Sequence, residues 1–424
     1  MDFRNSVNIF DDLKWRGLIN QTSDDQGLRE HLGSGSRVMY CGFDPTAASL
    51  HIGNLVPLIA LMRFASAGHK PLALLGGATG LIGDPSGKDK ERQLASLEKV
   101  AAQTERIKAQ MEKFCGDQVR VVNNLDWIGK LSAIELLRDV GKHFTVNYML
   151  AKDSVKGRID REESGISYTE FSYMILQAYD FYHLRETAGC TMQIGGGDQF
   201  GNITAGLELI RRKLSAEAYA LTFPLITTAS GAKFGKSEKG AIFLDPELTS
   251  PYAFYQYWVN ADDKDVINFL KYFTLIAQAE IEELAKAVAE QPHLREAQKT
   301  LARTMTTMVH GQEETDKVVK ASDFLFGKGA LDQVDVKTLR AALESAPGRA
   351  YPGQNDIPEL VQVLVDLGLC PSKSQARKDL AAGAISVNNG KVADGYAFPT
   401  QDFIGGELLL LRKGKKNYGV VSLG

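Results

Sequence analysis

The chain has 424 residues, of which 44% are hydrophobic and 24% charged, a composition that excludes wholesale disorder. At roughly 150 residues per domain, this length predicts two or three domains. The 49 basic and 52 acidic residues give a formal net charge of -3, so contact with a polyanion requires local basic patches.

The cysteines and the apolar runs indicate the cellular compartment of the protein. Cys41, Cys115, Cys190 and Cys370 form no C-x-x-C pair, which argues against a structural zinc site or a disulfide scaffold and fits a reducing compartment. No stretch approaches the roughly 20 apolar residues of a membrane-spanning helix. Residues 1–12 lack the apolar run of a signal peptide. We therefore expect a cytoplasmic protein.

The N-terminal half alternates apolar runs, glycine turns and helical patterns. Residues 37–43 (RVMYCGF) form a short β-type run, and apolar residues at helical spacing follow over 55–62. Pro57 is tolerated only in a first turn, so this helix is predicted to begin just after His51. A second apolar run at 71–75 leads into a glycine turn. The alternation predicts an α/β fold with a parallel sheet and functional loops at the carboxyl ends of its strands.

The pattern changes after residue 250. Residues 250–325 are rich in Ala, Glu, Lys and Gln, which predicts helices. Residues 327–356 contain several glycines and two prolines and are typical of a linker. The tail, 357–424, returns to an amphipathic helix and short strands, which predicts a separate small module.

Four loop regions carry residues suited to binding phosphates and small polar ligands. They are residues 41–55 (CGFDPTAASLHIGNL), 76–88 (GGATGLIGDPSGK), 193–202 (QIGGGDQFGN) and 233–237 (KFGKS). Glycines allow close backbone approach, a helix N-terminus offers free N–H groups, and lysines three apart can close on a triphosphate. Each loop alone equally fits a tight turn, a sheet-end loop or a solvated connection.

A predicted helix over 168–181 places three polar side chains on one face. Tyr173, Gln177 and Asp180 recur at i, i+4 and i+7 among apolar neighbours. Buried without partners they would be costly, and a polar aromatic ligand would satisfy them. The alternative is that they form the solvent face of the helix.

The tail carries two basic runs. Ser372 or Ser374 can cap a short helix that Gly383 ends, and 388–390 (NNG) predicts a hairpin turn. Two basic runs on one small module predict a polyanion-binding surface, although each alone is typical of a solvated face. The basic residues are Lys373, Arg377, Lys378, Arg412, Lys413, Lys415 and Lys416.

Taken together and in order, these motifs resemble a known family. Residues 51–54 (HIGN) resemble the HIGH signature of class I aminoacyl-tRNA synthetases, and 233–237 resemble their KMSKS signature. The segments 41–46, 76–86 and 198–203 are similar specifically to bacterial tyrosyl-tRNA synthetases. The tail resembles the S4-type RNA-binding domain of that family. The sequence departs from the family pattern at Asn54, Gly197 and Phe200, where His, Ser and Trp are expected; an amide at 54 still donates a hydrogen bond but cannot titrate.

The resemblance implies a fold and a domain order. It implies a Rossmann-like parallel-sheet catalytic domain over 1–232 with an inserted dimer-interface region, and the KMSKS-type loop with an α-helical domain over 233–325. A linker over 326–356 and a small α+β S4-like domain over 357–424 would follow.

The resemblance also implies a two-step ligation. Tyrosine would attack Mg-ATP to give tyrosyl-adenylate and pyrophosphate, and tRNA(Tyr) would then accept tyrosine at its 3′ end. The attacking carboxylate is already anionic, so the enzyme must position reactants and stabilise phosphate charge rather than supply a base. The resemblance implies Mg²⁺ held mainly by ATP oxygens, no protein metal ligand, no tightly bound organic cofactor, and a homodimer.

By the same resemblance, each site residue has an implied role. The phosphates would be faced by Thr46, His51, Lys233 and Lys236, with Lys88 and Arg92 on a closing loop. The nucleotide would be contacted by Gly53, Asn54, Asp198 and Lys236. Tyrosine would be bound by Tyr40 and Asp180 at the phenol, by Asp84, Tyr173 and Gln177 at the ammonium, and by Gln199 near the carboxylate, with Asp44 at the amino-acid or ribose side.

Two other classes remain open at this stage. A dinucleotide-dependent oxidoreductase would share the sheet and glycine turns, but it would need an acidic residue about 20 residues beyond its glycine motif and no Lys-x-x-Lys-Ser loop. A non-catalytic RNA-binding protein with a decayed synthetase core would explain the tail and Asn54. Tyrosine-dependent pyrophosphate exchange would distinguish a synthetase from both alternatives.

Overall fold

The computed structural model divides the chain into two compact units. The first contains Met1–Asp245 and Ala261–Leu301, and the second contains Pro246–Asn260 and Ala302–Gly424. The structure describes residues 8–86, 94–152, 155–156, 165–229, 231, 234–237, 240–327, 329, 333–414 and 417–424, with the backbone alone at 236 and 237. This division cuts across the four consecutive domains that the sequence suggested.

A six-stranded sheet forms the centre of the first unit, in the order β1-β6-β5-β2-β3-β4. Neighbouring strands from β6 to β4 are parallel, as predicted, whereas the two-residue edge strand β1 pairs antiparallel with β6. The strands are β1 (Gln21–Thr22), β2 (Val38–Phe43), β3 (Lys70–Leu75), β4 (Arg120–Asn123), β5 (Cys190–Gly196) and β6 (Tyr219–Phe223). Two short strands, β7 (Lys236–Ser237) and β8 (Gly240–Ala241), form a separate antiparallel pair. The chain order reverses between β2 and β5, and ligands of such sheets bind outside the strand carboxyl ends at this point.

The helices of the first unit cover the sheet. α3 contacts β2, β3 and β5, while α9 and α10 pack on the face that carries Tyr40 and Leu74. Pro57 lies in the first turn of α3, as the sequence predicted. The helices are α1 (Ile9–Trp15), α2 (Asp25–Gly33), α3 (Leu55–Ser66), α4 (Thr79–Ile82), α5 (Leu97–Cys115), α6 (Leu125–Ile128), α7 (Ala133–Glu135), α8 (Val146–Leu150), α9 (Tyr168–Ala188), α10 (Phe200–Leu214), α12 (Val266–Phe273) and α13 (Gln278–Glu290).

The second unit combines helices with a five-stranded sheet in the order β11-β10-β12-β13-β9. Its strands are β9 (Gly348–Tyr351), β10 (Ile385–Val387), β11 (Gly390–Lys391), β12 (Leu408–Lys413) and β13 (Asn417–Leu423). Its helices are α11 (Pro251–Val259), α15 (Gln312–Leu325), α16 (Val336–Ala342), α17 (Leu360–Asp366) and α18 (Lys373–Ala381), and α14 (Glu296–His310) contributes to both units.

The predicted linker at 326–356 is wrong for most of its length. It contains the helix α16 and the strand β9, which pairs in parallel with β13. Leu339 and Leu343 of this segment are buried in a core cluster. Glycines and prolines suggested a linker, but the apolar residues of α16 complete a core that a local composition count does not show.

Strand β12 explains how the tail is held. Leu408 and Leu410 pack with α15, whereas Leu409 and Leu411 pack with α17 and α18. Successive strand residues face opposite sides of a sheet, so four consecutive leucines indicate a strand buried on both faces. The tail therefore shares a core with α15 within the second unit. Among the described residues, no helix is long and apolar enough to cross a membrane.

Candidate active site

A cavity of about 240 Å³ lies beside the carboxyl ends of β2 and β5, at the reversal of strand order. Most of the predicted tyrosine- and nucleotide-binding residues line it: Tyr40, Asp44, Thr46, Asn54, Asp84, Tyr173, Gln177, Asp180, Asp198 and Gln199. His51 and Gly53 are not among its lining residues. The predicted Lys88, Arg92 and Lys233 lie outside the described residues, and Lys236 is described by its backbone alone.

The deepest polar groups of the cavity are Asp180 and Tyr40. The Asp180 carboxylate is buried and accepts hydrogen bonds from Asn124 Nδ2 at 3.0 Å and Trp127 Nε1 at 2.7 Å. Desolvation by burial raises the pKa of Asp180 to about 7, against the opposing effect of these two hydrogen bonds. The Tyr40 hydroxyl is also buried and has no hydrogen-bond partner among the described residues. Such a pair is suited to a ligand that both donates and accepts a hydrogen bond.

A second polar cluster lies on the predicted helical face and the loop after β5. Gln199 Nε2 donates to Asp84 at 2.6 Å, and Gln177 Nε2 donates to Gln199 Oε1 at 3.2 Å. Asn202 Nδ2 donates to Gln177 Oε1 at 3.0 Å. Tyr173 and Asp180 are buried, so this face of α9 is an inner one and not the solvent face.

Tyr173 connects this cluster to the Asp44 loop. Its hydroxyl donates to Asp44 Oδ2 at 2.8 Å. Desolvation by burial, reinforced by the nearby carboxylates of Asp44 and Asp84, raises the pKa of Tyr173 well above its usual value. Tyr173 therefore remains a protonated donor, and the carboxylates beside it produce a site suited to a cation such as an ammonium group.

The HIGN segment forms a capping box. His51 Nδ1 accepts from the Gly53 N–H at 3.0 Å, and Asn54 Oδ1 accepts from the His51 N–H at 3.0 Å. Because a backbone N–H can only donate, the neutral His51 ring carries its proton on Nε2, and the Asn54 amide is oriented with Nδ2 away from His51. Asn54 lines the cavity, so its amide N–H₂ is a donor available to the cavity side.

The backbone brings the two signature segments together. Ile52 N donates to Ile242 O at 3.0 Å, Leu244 N to Leu50 O at 2.8 Å, and Ile242 N to Gly235 O at 3.2 Å. Phe234 stacks on Phe273 of α12 with ring centroids 4.9 Å apart. Gly235 of the KFGKS motif is therefore joined through Ile242 to Ile52 of the HIGN segment, although the two motifs are distant in sequence.

The glycines of the 76–83 loop allow two loops to pack closely. A side chain at Gly76 would collide with the carboxylate of Asp44 and the hydroxyl of Thr79, and one at Gly80 would lie 2.9 Å from Pro45 Cδ. These glycines therefore allow the Asp44 loop and α4 to pack closely against each other. They explain why the segment resembles a dinucleotide fingerprint only in part.

Several site residues were not identified from the sequence. Asn124 and Trp127 hold Asp180, Thr79 contacts Asp44, Asn202 joins the second cluster, and buried Gln193 lines the cavity. Thr79, Gln193 and Asn202 lie within the loop regions singled out at 76–88 and 193–202. For Asn124 the available signal was position, because it directly follows β4 and strand carboxyl ends meet at one edge of a parallel sheet.

The basic residues of the tail differ in their surroundings. Lys373, Arg377 and Lys378 on α18 are exposed, and Ser372 caps this helix as predicted. Lys413 forms an ion pair of 2.7 Å with Asp379, so its charge is compensated within the module. Lys415 and Lys416 lie outside the described residues. Among the described residues, no group of three or more His, Cys, Asp or Glu side chains could hold a metal ion.

A family model described as tRNA synthetases class I (W and Y) matches residues 34–327, which contain the cavity and both signature segments. The chain thus belongs to the class I aminoacyl-tRNA synthetases. A second model, described as the tyrosine–tRNA ligase SYY-like C-terminal domain, matches residues 341–421. Within the class, the chain is a member of the tyrosine–tRNA ligase family, as the signatures indicated, and the dinucleotide oxidoreductase alternative is wrong.

Individual relatives agree with this assignment. The tyrosine–tRNA ligase of Geobacillus kaustophilus is 51% identical over 98% of this chain and 99% of its own length. The tyrosine–tRNA ligase of Opitutus terrae is 49% identical over 98% of this chain and 100% of its own length. A C-terminally truncated mitochondrial tyrosyl-tRNA synthetase from Aspergillus nidulans has a TM-score of 0.70 and 30% identity, covering 76% of this chain and 95% of the other.

Proposed function

We propose that the chain activates L-tyrosine with ATP to form tyrosyl-adenylate and pyrophosphate, and then transfers tyrosine to the 3′ end of tRNA(Tyr). The observation that carries this proposal is the buried pair of Asp180 and Tyr40 at the bottom of the cavity. The phenol of the substrate would donate a hydrogen bond to the Asp180 carboxylate and accept one from the Tyr40 hydroxyl. Phenylalanine would leave the buried Tyr40 hydroxyl without a partner and would offer Asp180 no donor beyond Asn124 and Trp127, which is costly in a buried site.

The amino group of the substrate would lie in the second cluster. Asp84, Tyr173 and Gln177 line the same cavity as Asp180, and Gln199 is hydrogen-bonded to Asp84. In this pose Gln199 is near the substrate carboxylate. The amino acid is thereby oriented with its carboxylate toward the segment that contains Thr46 and Asn54.

Catalysis of the first step is by positioning and charge stabilisation. The substrate carboxylate is the nucleophile, and the charge that develops on the leaving pyrophosphate requires donors and cations. Gly53, Asn54 and Asp198 would contact the nucleotide. We assign the phosphate-facing roles to Thr46, His51, Lys88, Arg92, Lys233 and Lys236.

Mg²⁺ would be bound chiefly by the phosphates. The described residues contain no group of three or more His, Cys, Asp or Glu side chains that could hold a metal ion. Hard divalent cations favour oxygen ligands, which ATP supplies. The protein's own residues then bind the remaining phosphate oxygens as donors.

The second step requires a surface for RNA. The exposed Lys373, Arg377 and Lys378 on α18 offer adjacent positive charges on the module that the C-terminal family model matches. We assign Arg412, Lys413, Lys415 and Lys416 to the same surface. Lys413 is paired with Asp379 at 2.7 Å and Arg377 with Asp394 at 3.4 Å, so part of the charge of both is compensated within the module.

We also propose that two copies of the chain associate in the cytoplasm. Large apolar side chains are exposed between β4 and α9: Ile134 is 68%, Leu137 55%, Val146 61% and Tyr168 71% exposed. Exposed apolar groups concentrated in one segment are typical of a protein–protein contact. Sedimentation of the full chain, and of a variant with Ile134→Asp, tests this part.

The decisive experiment is pyrophosphate exchange. The purified chain should incorporate labelled pyrophosphate into ATP when tyrosine is present, and far less with phenylalanine. It should also charge tRNA(Tyr) with tyrosine. Exchange that is independent of tyrosine, or absent from a folded protein that still binds tRNA, would contradict the proposal and favour a non-catalytic RNA-binding role.

A further inference from the structure

A chain of buried hydrogen bonds joins the two ends of the cavity. Tyr173 donates to Asp44 Oδ2 at 2.8 Å, and the Thr79 hydroxyl donates to Asp44 Oδ1 at 2.7 Å. Asn124 Nδ2 donates to Thr79 Oγ1 at 3.0 Å and to Asp180 Oδ2 at 3.0 Å. Thr79 is thus the link between the carboxylate at the ammonium side and the carboxylate at the phenol side.

The direction of every bond in this chain is determined. The Ala78 N–H donates to Asn124 Oδ1 at 2.8 Å, which places the oxygen of the amide toward Ala78 and both amide hydrogens toward Thr79 and Asp180. An ionised carboxylate only accepts, so the single hydroxyl hydrogen of Thr79 goes to Asp44. The oxygen of Thr79 can then receive the hydrogen from Asn124. No alternative arrangement satisfies all of these groups.

The site leaves little room for a substitute. Thr79 is 2% exposed and Asn124 is fully buried, so solvent does not replace a lost hydrogen bond there. Gly76 lies against both Asp44 and Thr79, and any larger residue at this position would collide with them. The close contact of the Asp44 carboxylate with Thr79 is therefore built into the packing of the two loops.

We propose that Thr79 is a positioning residue for tyrosine activation, whose hydroxyl couples the orientation of Asp44 to that of Asp180 through Asn124. This inference rests on the proposed function, since it specifies how the tyrosine pocket works. Binding of a phenol to Asp180 would act, through Asn124 and Thr79, on the carboxylate that receives the Tyr173 hydroxyl. The phenol side and the ammonium side of the amino-acid pocket would thus respond together.

The test compares two substitutions at position 79 with a matched control. Thr79→Val keeps the shape of the side chain but removes the hydroxyl, whereas Thr79→Ser keeps the hydroxyl. Thr104→Val is the control, because Thr104 is also buried but its hydroxyl donates to Val100 O in its own helix, at 2.8 Å, away from the cavity. Tyrosine KM, kcat and the tyrosine-to-phenylalanine ratio are measured by pyrophosphate exchange, with folding checked by circular dichroism.

We expect Thr79→Val to raise the tyrosine KM about tenfold or more, because the half-buried Asp44 carboxylate loses a donor and the buried Asn124 amide loses an acceptor. It should also lower the preference for tyrosine over phenylalanine, since Asn124 then holds Asp180 less firmly. Thr79→Ser should remain within about threefold of the parent chain, and Thr104→Val should leave KM unchanged. Thr79→Ala replaces Thr79→Val if the latter does not fold, and the same comparison with Thr79→Ser applies.

A double substitution tests the coupling itself. Tyr173→Phe removes another donor to Asp44, so its effect on tyrosine KM combined with Thr79→Val should be smaller than the product of the single effects. Parent-like KM and amino-acid preference in a folded Thr79→Val protein, or equal losses in the Val and Ser variants, would overturn the inference. If the parent chain itself showed no tyrosine-dependent exchange, the proposed function would fail instead.

Discussion

The buried Asp180 carboxyl group should lower the stability of the ligand-free protein near neutral pH, although tyrosine binding needs it. Asp180→Asn should remove this loss of stability and abolish tyrosine activation. Burial raises the pKa of this carboxyl from the usual 3.8 to about 7. Below about pH 4 the group is protonated whether the chain is folded or not. As the pH rises toward 7 the unfolded chain releases this proton while the folded chain retains it. The ligand-free protein therefore loses stability from this group between about pH 4 and 7, and the loss is complete above 7.

The magnitude follows from the same values. At about 1.36 kcal/mol per pKa unit, a rise from 3.8 to about 7 corresponds to roughly 4 kcal/mol of lost stability above neutral pH. Asparagine does not titrate, so the Asp180→Asn variant does not lose this stability as the pH rises. It does sacrifice a hydrogen bond, because its N–H₂ faces a donor from Asn124 or Trp127, at a cost of about 1–3 kcal/mol that does not depend on pH. The difference between variant and parent should therefore change with pH by about 4 kcal/mol, whatever the constant cost.

The assay is chemical denaturation of both proteins without ligand at several pH values between 4 and 9, with unfolding followed by intrinsic tryptophan fluorescence. The free energy of unfolding of the variant, relative to that of the parent, should rise steadily from pH 4 to 7 and then level off. Tyrosine should stabilise the parent but not the variant, which should have lost tyrosine activation. A difference in stability that is the same at every pH would refute the assignment of a buried, charged Asp180.

Four further outcomes are expected. Tyr40→Phe should lower the preference for tyrosine over phenylalanine modestly, by the roughly 0.5–1.5 kcal/mol of one neutral hydrogen bond, in pyrophosphate exchange. Asn54→His should keep activity while Asn54→Ala raises the KM for ATP, since only the former retains a donor and an acceptor for the His51 N–H. Removal of residues 353–424 should preserve pyrophosphate exchange and abolish tRNA charging, while increased proteolysis of α15 reports the loss of its shared core with Leu408 and Leu410. Arg63→Met should lower the free energy of unfolding by about 3 kcal/mol, and with it the thermal midpoint, because the buried guanidinium donates hydrogen bonds to carbonyls at the end of α12, Lys271 O at 3.0 Å among them.

The Arg63 prediction has a structural background in the first unit. Arg63 and Arg16 are both buried and both donate to backbone oxygens at the C-terminus of α12, where helix carbonyls lack intrahelical partners. Burial lowers the pKa of Arg63 to about 9, with a further lowering by Arg16 and a partial offset by Asp12. Helix α12 also supplies Phe273, on which Phe234 of the signature loop stacks. Pyrophosphate exchange by Arg63→Met should therefore be measured alongside its thermal unfolding. The exchange activity should fall as well, because α12 supports the signature loop through Phe273.

Local rules were sufficient for much of the chain. The start of α3 near Pro57, the cap of α18 at Ser372 and the hairpin at Asn388 and Asn389, both with positive φ, all follow from residues within a few positions of one another. The inner face of α9 could also be proposed from its spacing alone. The signatures identified the family because their order along the chain is itself sequence information.

Contacts between distant segments decided the rest. Thr79, Asn124 and Trp127 are ordinary polar residues in sequence, and their importance arises only because parallel strands bring their carboxyl ends to one edge beside α9. The linker prediction at 326–356 was wrong for the same reason, since the partner of β9 is β13, about seventy residues further along. Hydrogen bonds and burial depend on distances in space, and composition carries no record of which segment will supply the partner.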